Sequence, residues 1–261
     1  MPADDRAKRE LRREIELDAT PEQVWEAIAT GPGIATWFVP HRVEEREGGT
    51  MSADFGGGFA DTGRVTAWEP LRRFASGTAE PPADGRPDYA CEFLVETRDG
   101  GGTVLRFVQS GFLDGADWDG EYGSFDAGWA LFLFNLQQYL AHFAGLPVAN
   151  VVTMAWADGG ASTLWPVLRT GLGLDGPPAV GDTITLSPEG IVPITGIVDV
   201  STDEFLGVRS ARGLHRIGAE GESGCGVSAY HYVYGDPAPD VEALTEAWQA
   251  WLEWTVPLGT G

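Results

Sequence analysis

Two blocks of residues in the first half of this chain return, in the same order, in the second half. Asp18, Val24 and Trp25 are answered by Asp158, Leu164 and Trp165, each 140 positions on, and Gly31 by Gly171. Thr50, Thr62, Gly63 and Val65 return as Thr183, Thr195, Gly196 and Val198, each 133 positions on. The spacing shortens by seven between the blocks, the trace of a single deletion. Each half then closes in a Trp-bearing segment of helical period. Such a repeat predicts two diverged copies of one fold. A length of 261 residues accommodates two domains of ordinary size.

Charge narrows the partners. The net charge is −22. Residues 1–150 carry 13 basic and 25 acidic side chains, the remainder 4 and 14, so neither half hides a basic module. Nucleic acid is excluded as a partner, since backbone phosphates need a basic stripe. No apolar run reaches the ~18 residues of a membrane span, and no apolar stretch follows the charged N-terminus as a secretory signal requires. The expectation is a cytoplasmic protein with no membrane partner. Cys91 and Cys225, one per half, read as two buried thiols rather than a bridge.

The first half reads as a strand, two short helices, a run of strands and a long helix. A strand ends at Ile15 and Leu17. Thr20-Pro21-Glu22-Gln23 starts a helix with a capping residue, a proline at its first position and a capping box. Val24, Trp25 and Ile28 form its apolar stripe, and Gly31-Pro32-Gly33 is expected to end it. A second short helix is expected to carry Ile34, Trp37 and Phe38. Met51, Ala53 and Phe55 then alternate, followed by Val65 and Ala67, Phe74, the row Cys91, Phe93 and Val95, and the row Leu105, Phe107 and Gln109. The connections are too short for crossover helices, so an antiparallel meander follows. Phe125, Trp129, Phe132, Leu133, Leu136, Tyr139, Leu140 and Phe143 then mark one apolar helix face, with Asn135, Gln138 and His142 off it.

The second half follows the same order. It predicts a strand near Val151–Ala157, a helix from about Ser162, strands through Ile184 and Leu186, Ile197 to Val200, Phe205 to Arg209 and Val227 to Val233, and a final helix capped by Asp240. Gly171–Gly181 stands where the first half has its second helix and next strand. The predicted domains are 1–146 and 150–261. Domains joined by so short a linker are expected to pack together, with Trp251 and Trp254 on different faces of the last helix and one of them free to serve that interface.

In the first half, the run IELDATPEQVWEAIATGPGIATWF, then GRVTAWEP, GGTVLRFVQSGF and GWALFLFNLQQYL, resembles the heat-shock-protein-90 ATPase activator homologue family. That family belongs to the START-like helix-grip superfamily, also called SRPBCC or birch-pollen-allergen-like. The resemblance covers about residues 12–143, and residues 150–261 share it through the internal repeat. It implies an α+β fold of tandem helix-grip domains, each a curved antiparallel sheet wrapped around a long C-terminal helix, the second copy degenerate. It also implies an apolar pocket between sheet and helix. It does not choose a reaction, because members carry apolar molecules, cyclise or dehydrate polyketides, or assist chaperones.

No catalytic constellation stands out. Gly171-Leu172-Gly173-Leu174-Asp175-Gly176 matches a dinucleotide fingerprint as text but follows a helix rather than a strand. Asp114, Asp117, Asp119 and Glu121 fail calcium-loop spacing, since the closing position falls on Gly128. The histidines never pair at helical spacing and no CxxC occurs, so neither a metal nor another cofactor is called for. Ser223-Gly224-Cys225-Gly226 reads as a turn. The inward-facing residues are stronger candidates. Trp37, Phe55, Phe93, Phe107, Gln109, Tyr122, Trp129 and Phe132 are expected to line the pocket, with the Gln109 amide as its polar group. His231 stands in the matching place of the second half, with Tyr230, Tyr232 and Tyr234 on the other face unless the register slips by one. The expected function is binding of a small hydrophobic molecule in the first domain. The alternatives are a polyketide cyclase- or dehydratase-like enzyme, and a chaperone-related or scaffold protein whose second domain offers an interface to a protein partner.

Overall fold

Thr20 is the hinge between the first strand and the first helix. Its hydroxyl accepts from the Gln23 backbone N–H at 3.3 Å, and the Gln23 side-chain oxygen accepts from the Thr20 N–H at 2.9 Å. Pro21 gives up no hydrogen bond at the first helical position. Thr20→Ala is expected to destabilise the first domain by about 1 kcal/mol, read as a lowered urea midpoint at constant slope.

The computed structural model describes residues 9–79, 88–112, 116–222 and 224–256, with backbone alone for residue 9 and residues 116–121. Asp114 and Ser223, and the side chains of Asp117, Asp119 and Glu121, lie outside the described set. The chain divides into two compact units, Met1–Asp54 with Ala60–Gly145, and Phe55–Phe59 with Leu146–Gly261. No described helix is long and apolar enough to cross a membrane.

The first unit contains β1 (Arg9–Leu17), α1 (Pro21–Ala29), α2 (Gly31–Ile34), β2 (His41–Val43), β3 (Thr50–Asp54), β4 (Ala60–Glu69), β5 (Arg73–Thr78), β6 (Ala90–Thr97), β7 (Thr103–Phe112) and α3 (Ala116–His142). Its strands form one seven-stranded antiparallel sheet in the order β1-β7-β6-β5-β4-β3-β2. The second unit contains β8 (Val148–Ala157), α4 (Ala161–Gly171), β9 (Thr183–Leu186), β10 (Ile194–Ser201), β11 (Phe205–Ser210), β12 (Gly213–Glu220), β13 (Cys225–Tyr234) and α5 (Val241–Thr255). Its sheet runs β8-β13-β12-β11-β10-β9. Both units set the first strand beside the last and then descend in sequence order, with the last helix after the last strand. These are tandem helix-grip domains, the second lacking one strand and the short second helix.

The repeat falls on equivalent elements. Thr62, Gly63 and Val65 lie on β4, and Thr195, Gly196 and Val198 on β10. A Cβ on Gly63 would stand 2.6 Å from the Gly77 carbonyl oxygen of β5, and one on Gly196 would stand 2.5 Å from the Arg209 carbonyl oxygen of β11. Both glycines are required by the same close approach of a neighbouring strand.

Four sequence expectations are corrected. Gly31-Pro32-Gly33 opens α2 rather than simply ending α1. Thr30 caps that turn through Gly33 N–H at 3.0 Å, and a Cβ on Gly33 would lie 1.8 Å from the Glu26 carbonyl oxygen. Trp37 and Phe38 follow α2 in turns rather than riding on it. Asn135 is wholly buried, its amide donating to the Trp37 carbonyl at 3.3 Å, because the segment after α2 covers a second side of α3. The sequence reading omitted β12, which is buried on both faces and so shows no alternation.

The last helix begins as expected, with the Asp240 carboxylate accepting from Ala243 N–H at 3.1 Å. Trp251 on α5 is buried and donates to the Gly171 carbonyl at 3.3 Å, whereas Trp254 is 74% exposed. Both cysteines are free. Cys225 is buried, and Cys91 is only half-buried.

Candidate functional site in the first domain

Register places the inward row of the first sheet. Leu11 of β1 pairs with Gln109 of β7, Gln109 with Cys91 of β6, and Cys91 with Ser76 of β5. One step further in, Phe107 pairs with Phe93, and Phe93 with Phe74. Because side chains alternate, both rows share the face that meets α3.

Phe107 and Trp129 of α3 lie 4.2 Å apart by ring centroids, Phe93 and Phe107 5.0 Å, and Phe93 and Trp129 6.2 Å. Phe38 joins from the loop after α2, 4.3 Å from Phe132 and 5.4 Å from Trp129, and stacks on Trp37 at 5.7 Å. Trp37 is 1% exposed and its indole N–H donates to the Ala27 carbonyl at 2.8 Å. Each fully buried ring, such as Phe107, contributes about 1.5–3 kcal/mol to the fold.

Six of the eight residues expected to line a pocket therefore come together: Trp37, Phe93, Phe107, Gln109, Trp129 and Phe132. Tyr122 stands at the outer end, 5.1 Å from Phe112, and its hydroxyl donates to the Glu10 carbonyl at 3.3 Å. Phe55 does not join them. β3 ends at Asp54, and Phe55 enters a turn closed by its own N–H on the Phe59 carbonyl at 2.9 Å. The glycines at 56, 57 and 58 all take positive φ there, which breaks the alternation that the sequence suggested.

Burial changes along the grip. At its inner end Leu105, Leu133, Leu136, Tyr139 and Phe143 are all buried. Toward the outer end Phe38, His41, Ser76, Thr78, Cys91, Phe125 and Trp129 are half-buried, although they face the interior. Side chains on this face are sealed at one end of α3 and partly accessible at the other, the open end.

At the open end Gln109, Cys91 and His41 are uncharged, Arg13 is paired, and the Asp61 carboxylate stands near enough to act on His41 and Cys91. The Gln109 side chain is 2% exposed, and its oxygen accepts from the Trp129 indole N–H. His41 Nδ1 lies 2.7 Å from the Val39 carbonyl oxygen, an acceptor, so Nδ1 carries the proton and Nε2 is left as an acceptor. Burial holds His41 down to about 4, outweighing the Val39 bond and the attraction of Asp61. The Cys91 thiol sits among enough protein atoms to be pushed up to about 12, with Asp61 adding to the effect. Arg13 of β1 is paired with Asp126 of α3.

Phe38 and His41 were missing from the expected lining. Phe38 lies in the irregular segment after α2, and β2 is only three residues long, too short to show a period. The adjacent Trp37-Phe38 pair ahead of Pro40 was the available signal.

The second grip is filled. Trp248 and Trp251 of α5, Trp165 of α4 and the inner faces of β8, β12 and β13 form one buried cluster. His231 points to α5, stacked on Trp248 at 3.9 Å, with Tyr230, Tyr232 and Tyr234 on the opposite face. It therefore matches Gln109, which meets Trp129 of α3. His231 Nδ1 lies 3.1 Å from His215 Nδ1, and His215 Nε2 lies 3.1 Å from the Ser210 hydroxyl. Among the described residues no group of three or more histidine, cysteine, aspartate or glutamate side chains could hold a metal ion.

Among solved structures the chain is similar to protein MLL2253 from Mesorhizobium loti, at 24% identity over 52% of this chain and 98% of that one, with a TM-score of 0.46. It is similar to Aha1 from Colwellia psychrerythraea, solved as a dimer, at 22% identity over 51% and 96%, with a TM-score of 0.44. The di-domain ARO/CYC protein BexL of the BE-7585A biosynthetic pathway matches over 95% of this chain and 98% of its own, at 14% identity and a TM-score of 0.46. Among curated proteins there is no match. The model of the family described as Activator of Hsp90 ATPase homolog 1-like protein matches residues 18–141. Those residues run from the loop after β1 almost to the end of α3, so the similarity to that family lies in the first domain.

Proposed function

We propose that the first domain binds a small apolar or aromatic molecule in the open end of its sheet–helix grip. One observation carries the reading: aromatic and neutral polar side chains that face the interior are half-buried at one end of α3, while the same face is sealed at the other. Among the described groups that act on His41 and Cys91 the only charge is the Asp61 carboxylate, so this ring-lined end favours uncharged ligands that lose little hydration on entry.

Nile red titrated into the full-length chain is expected to bind with a fluorescence rise. Cys91→Phe, which fills the open end, is expected to weaken binding at least ten-fold while the melting temperature stays within a few degrees. Undiminished binding in that variant would place the dye elsewhere and remove the reading. Native mass spectrometry of protein purified from its host then identifies the natural ligand.

A second reading rests on His41. Its fixed tautomer presents a bare Nε2 at the same open end, so it can accept a proton from a bound molecule. Gln109 cannot serve in that role. His41 is a weak base at about 4, which favours binding over cyclase- or dehydratase-type catalysis.

A further inference from the structure

We infer that Gln109 is the residue that selects the ligand, favouring a neutral aromatic molecule that presents a carbonyl oxygen over the matching hydrocarbon or carboxylate. The inference rests on the binding reading above and gives it a chemical class.

The Trp129 indole nitrogen can only donate, so the atom that it meets on Gln109 must be the amide oxygen. That bond settles which way the amide points. The –NH2 group is then fixed in direction, and it makes no hydrogen bond to any described residue. The side chain is 98% buried, yet its nitrogen is not among the fully buried polar atoms that lack a partner, so the two oriented donors face a space that water or a ligand can reach.

The surroundings say what that something is. Leu11 and Cys91 flank Gln109 across the sheet, and Phe107 and Trp129 supply ring faces. The recess needs an acceptor attached to a flat apolar body. A carboxylate would also need a cation, and Arg13, the cation on this face of β1, is already held by Asp126. A hydrocarbon would leave the amide donors unmet. A ketone or quinone oxygen satisfies them without bringing charge into the recess. His41 Nε2 offers the complementary acceptor for a ligand hydroxyl.

The test uses the full-length chain and three probes of one ring system: acetylnaphthalene, ethylnaphthalene and naphthoate, titrated calorimetrically. Acetylnaphthalene is expected to bind roughly ten-fold more tightly than ethylnaphthalene, and naphthoate more weakly than either. Gln109→Met, close in volume but without donors, is expected to erase the preference for the ketone, bringing the affinities for acetylnaphthalene and ethylnaphthalene within about two-fold of each other. If Gln109→Met also loses ethylnaphthalene, the grip itself has been damaged and Trp129→Phe decides, since it frees the amide to rotate and is expected to shrink the preference at least three-fold. Equal affinity of the parent chain for the ketone and the hydrocarbon overturns the inference and leaves the binding reading standing. A ketone preference that survives in Gln109→Met, or in Trp129→Phe where that variant decides, overturns it too. Failure of all three probes removes the binding reading and this inference with it.

Discussion

Asp199→Ala is expected to destabilise the second domain by about 3–5 kcal/mol, the largest effect of any single exchange considered. Arg216 of β12 is completely buried at its side chain, and Asp199 of β10 is 9% exposed. The guanidinium donates to both carboxylate oxygens, at 2.8 and 3.0 Å. Removing the aspartate takes the bidentate carboxylate from a guanidinium that is fully buried. The pair reaches across β11, which lies between the two strands, and it can do so because residue 207 has no side chain. A Cβ on Gly207 would lie 2.6 Å from Arg216 Nη1 and 2.8 Å from Asp199 Oδ1. Gly207→Ala is therefore expected to push the pair apart and cost about 1–3 kcal/mol. Urea unfolding followed by tryptophan fluorescence reads both. The double exchange Asp199→Leu with Arg216→Met is expected to regain most of the loss, because well-packed apolar residues commonly match a buried ion pair. A loss below about 1 kcal/mol in Asp199→Ala would show that water reaches the guanidinium.

Acidification is the second large effect. His215 is held down to about 3 by burial and by the adjacent Arg216 charge. His231 is held well below its ordinary value by burial, by His215 and by Arg216. Both are neutral in the folded protein, whereas the unfolded chain takes up their protons near pH 6.5. The unfolded state therefore binds more protons between pH 6.5 and about 3, and stability falls as pH drops through that window. At pH 5 each histidine costs about 2 kcal/mol, so the pair costs about 4 kcal/mol relative to pH 7. Stability measured by urea at pH 7, 6 and 5 checks this against His215→Gln/His231→Gln. That variant starts lower at pH 7 but is expected to have a flatter profile by about the same 4 kcal/mol. The carboxylates titrate in both proteins and cancel in the comparison. Parallel profiles would mean that the two imidazoles already share protons with solvent.

The architecture was legible because it is written in short-range patterns. The capping box at Thr20 and Gln23, the alternation of Leu105, Phe107 and Gln109, and the helical period from Phe125 to Phe143 each follow from backbone geometry alone. The paired glycines at 63 and 196 carried the repeat, and their reason is steric. Where both faces of a strand are buried, as in β12, the alternation disappears and the strand was missed. Where a helix is covered on two sides, as α3 is by the segment bearing Trp37, a buried Asn135 looks like a surface residue.

The candidate site divides in the same way. Five of the expected lining residues, Phe93, Phe107, Gln109, Trp129 and Phe132, meet because strand and helix periods put them on facing surfaces, whereas Trp37 reaches them from the turn after α2. Phe55 was misplaced because the glycines at 56–58 turn the chain one residue before the pattern would. His41 and Phe38 come from segments too short to carry a period, and their positions depend on long-range pairing of β2 with β3 and packing against α3. The direction of the Gln109 amide, the openness of one end of the grip and the ion pair over Gly207 arise from side chains brought together across many residues. Sequence by itself determined the two-copy organisation, the element order and which faces turn inward, because those are local periodicities. Tertiary structure alone decided which inward faces are filled and which remain open, because that depends on how volumes from distant segments add up in one place.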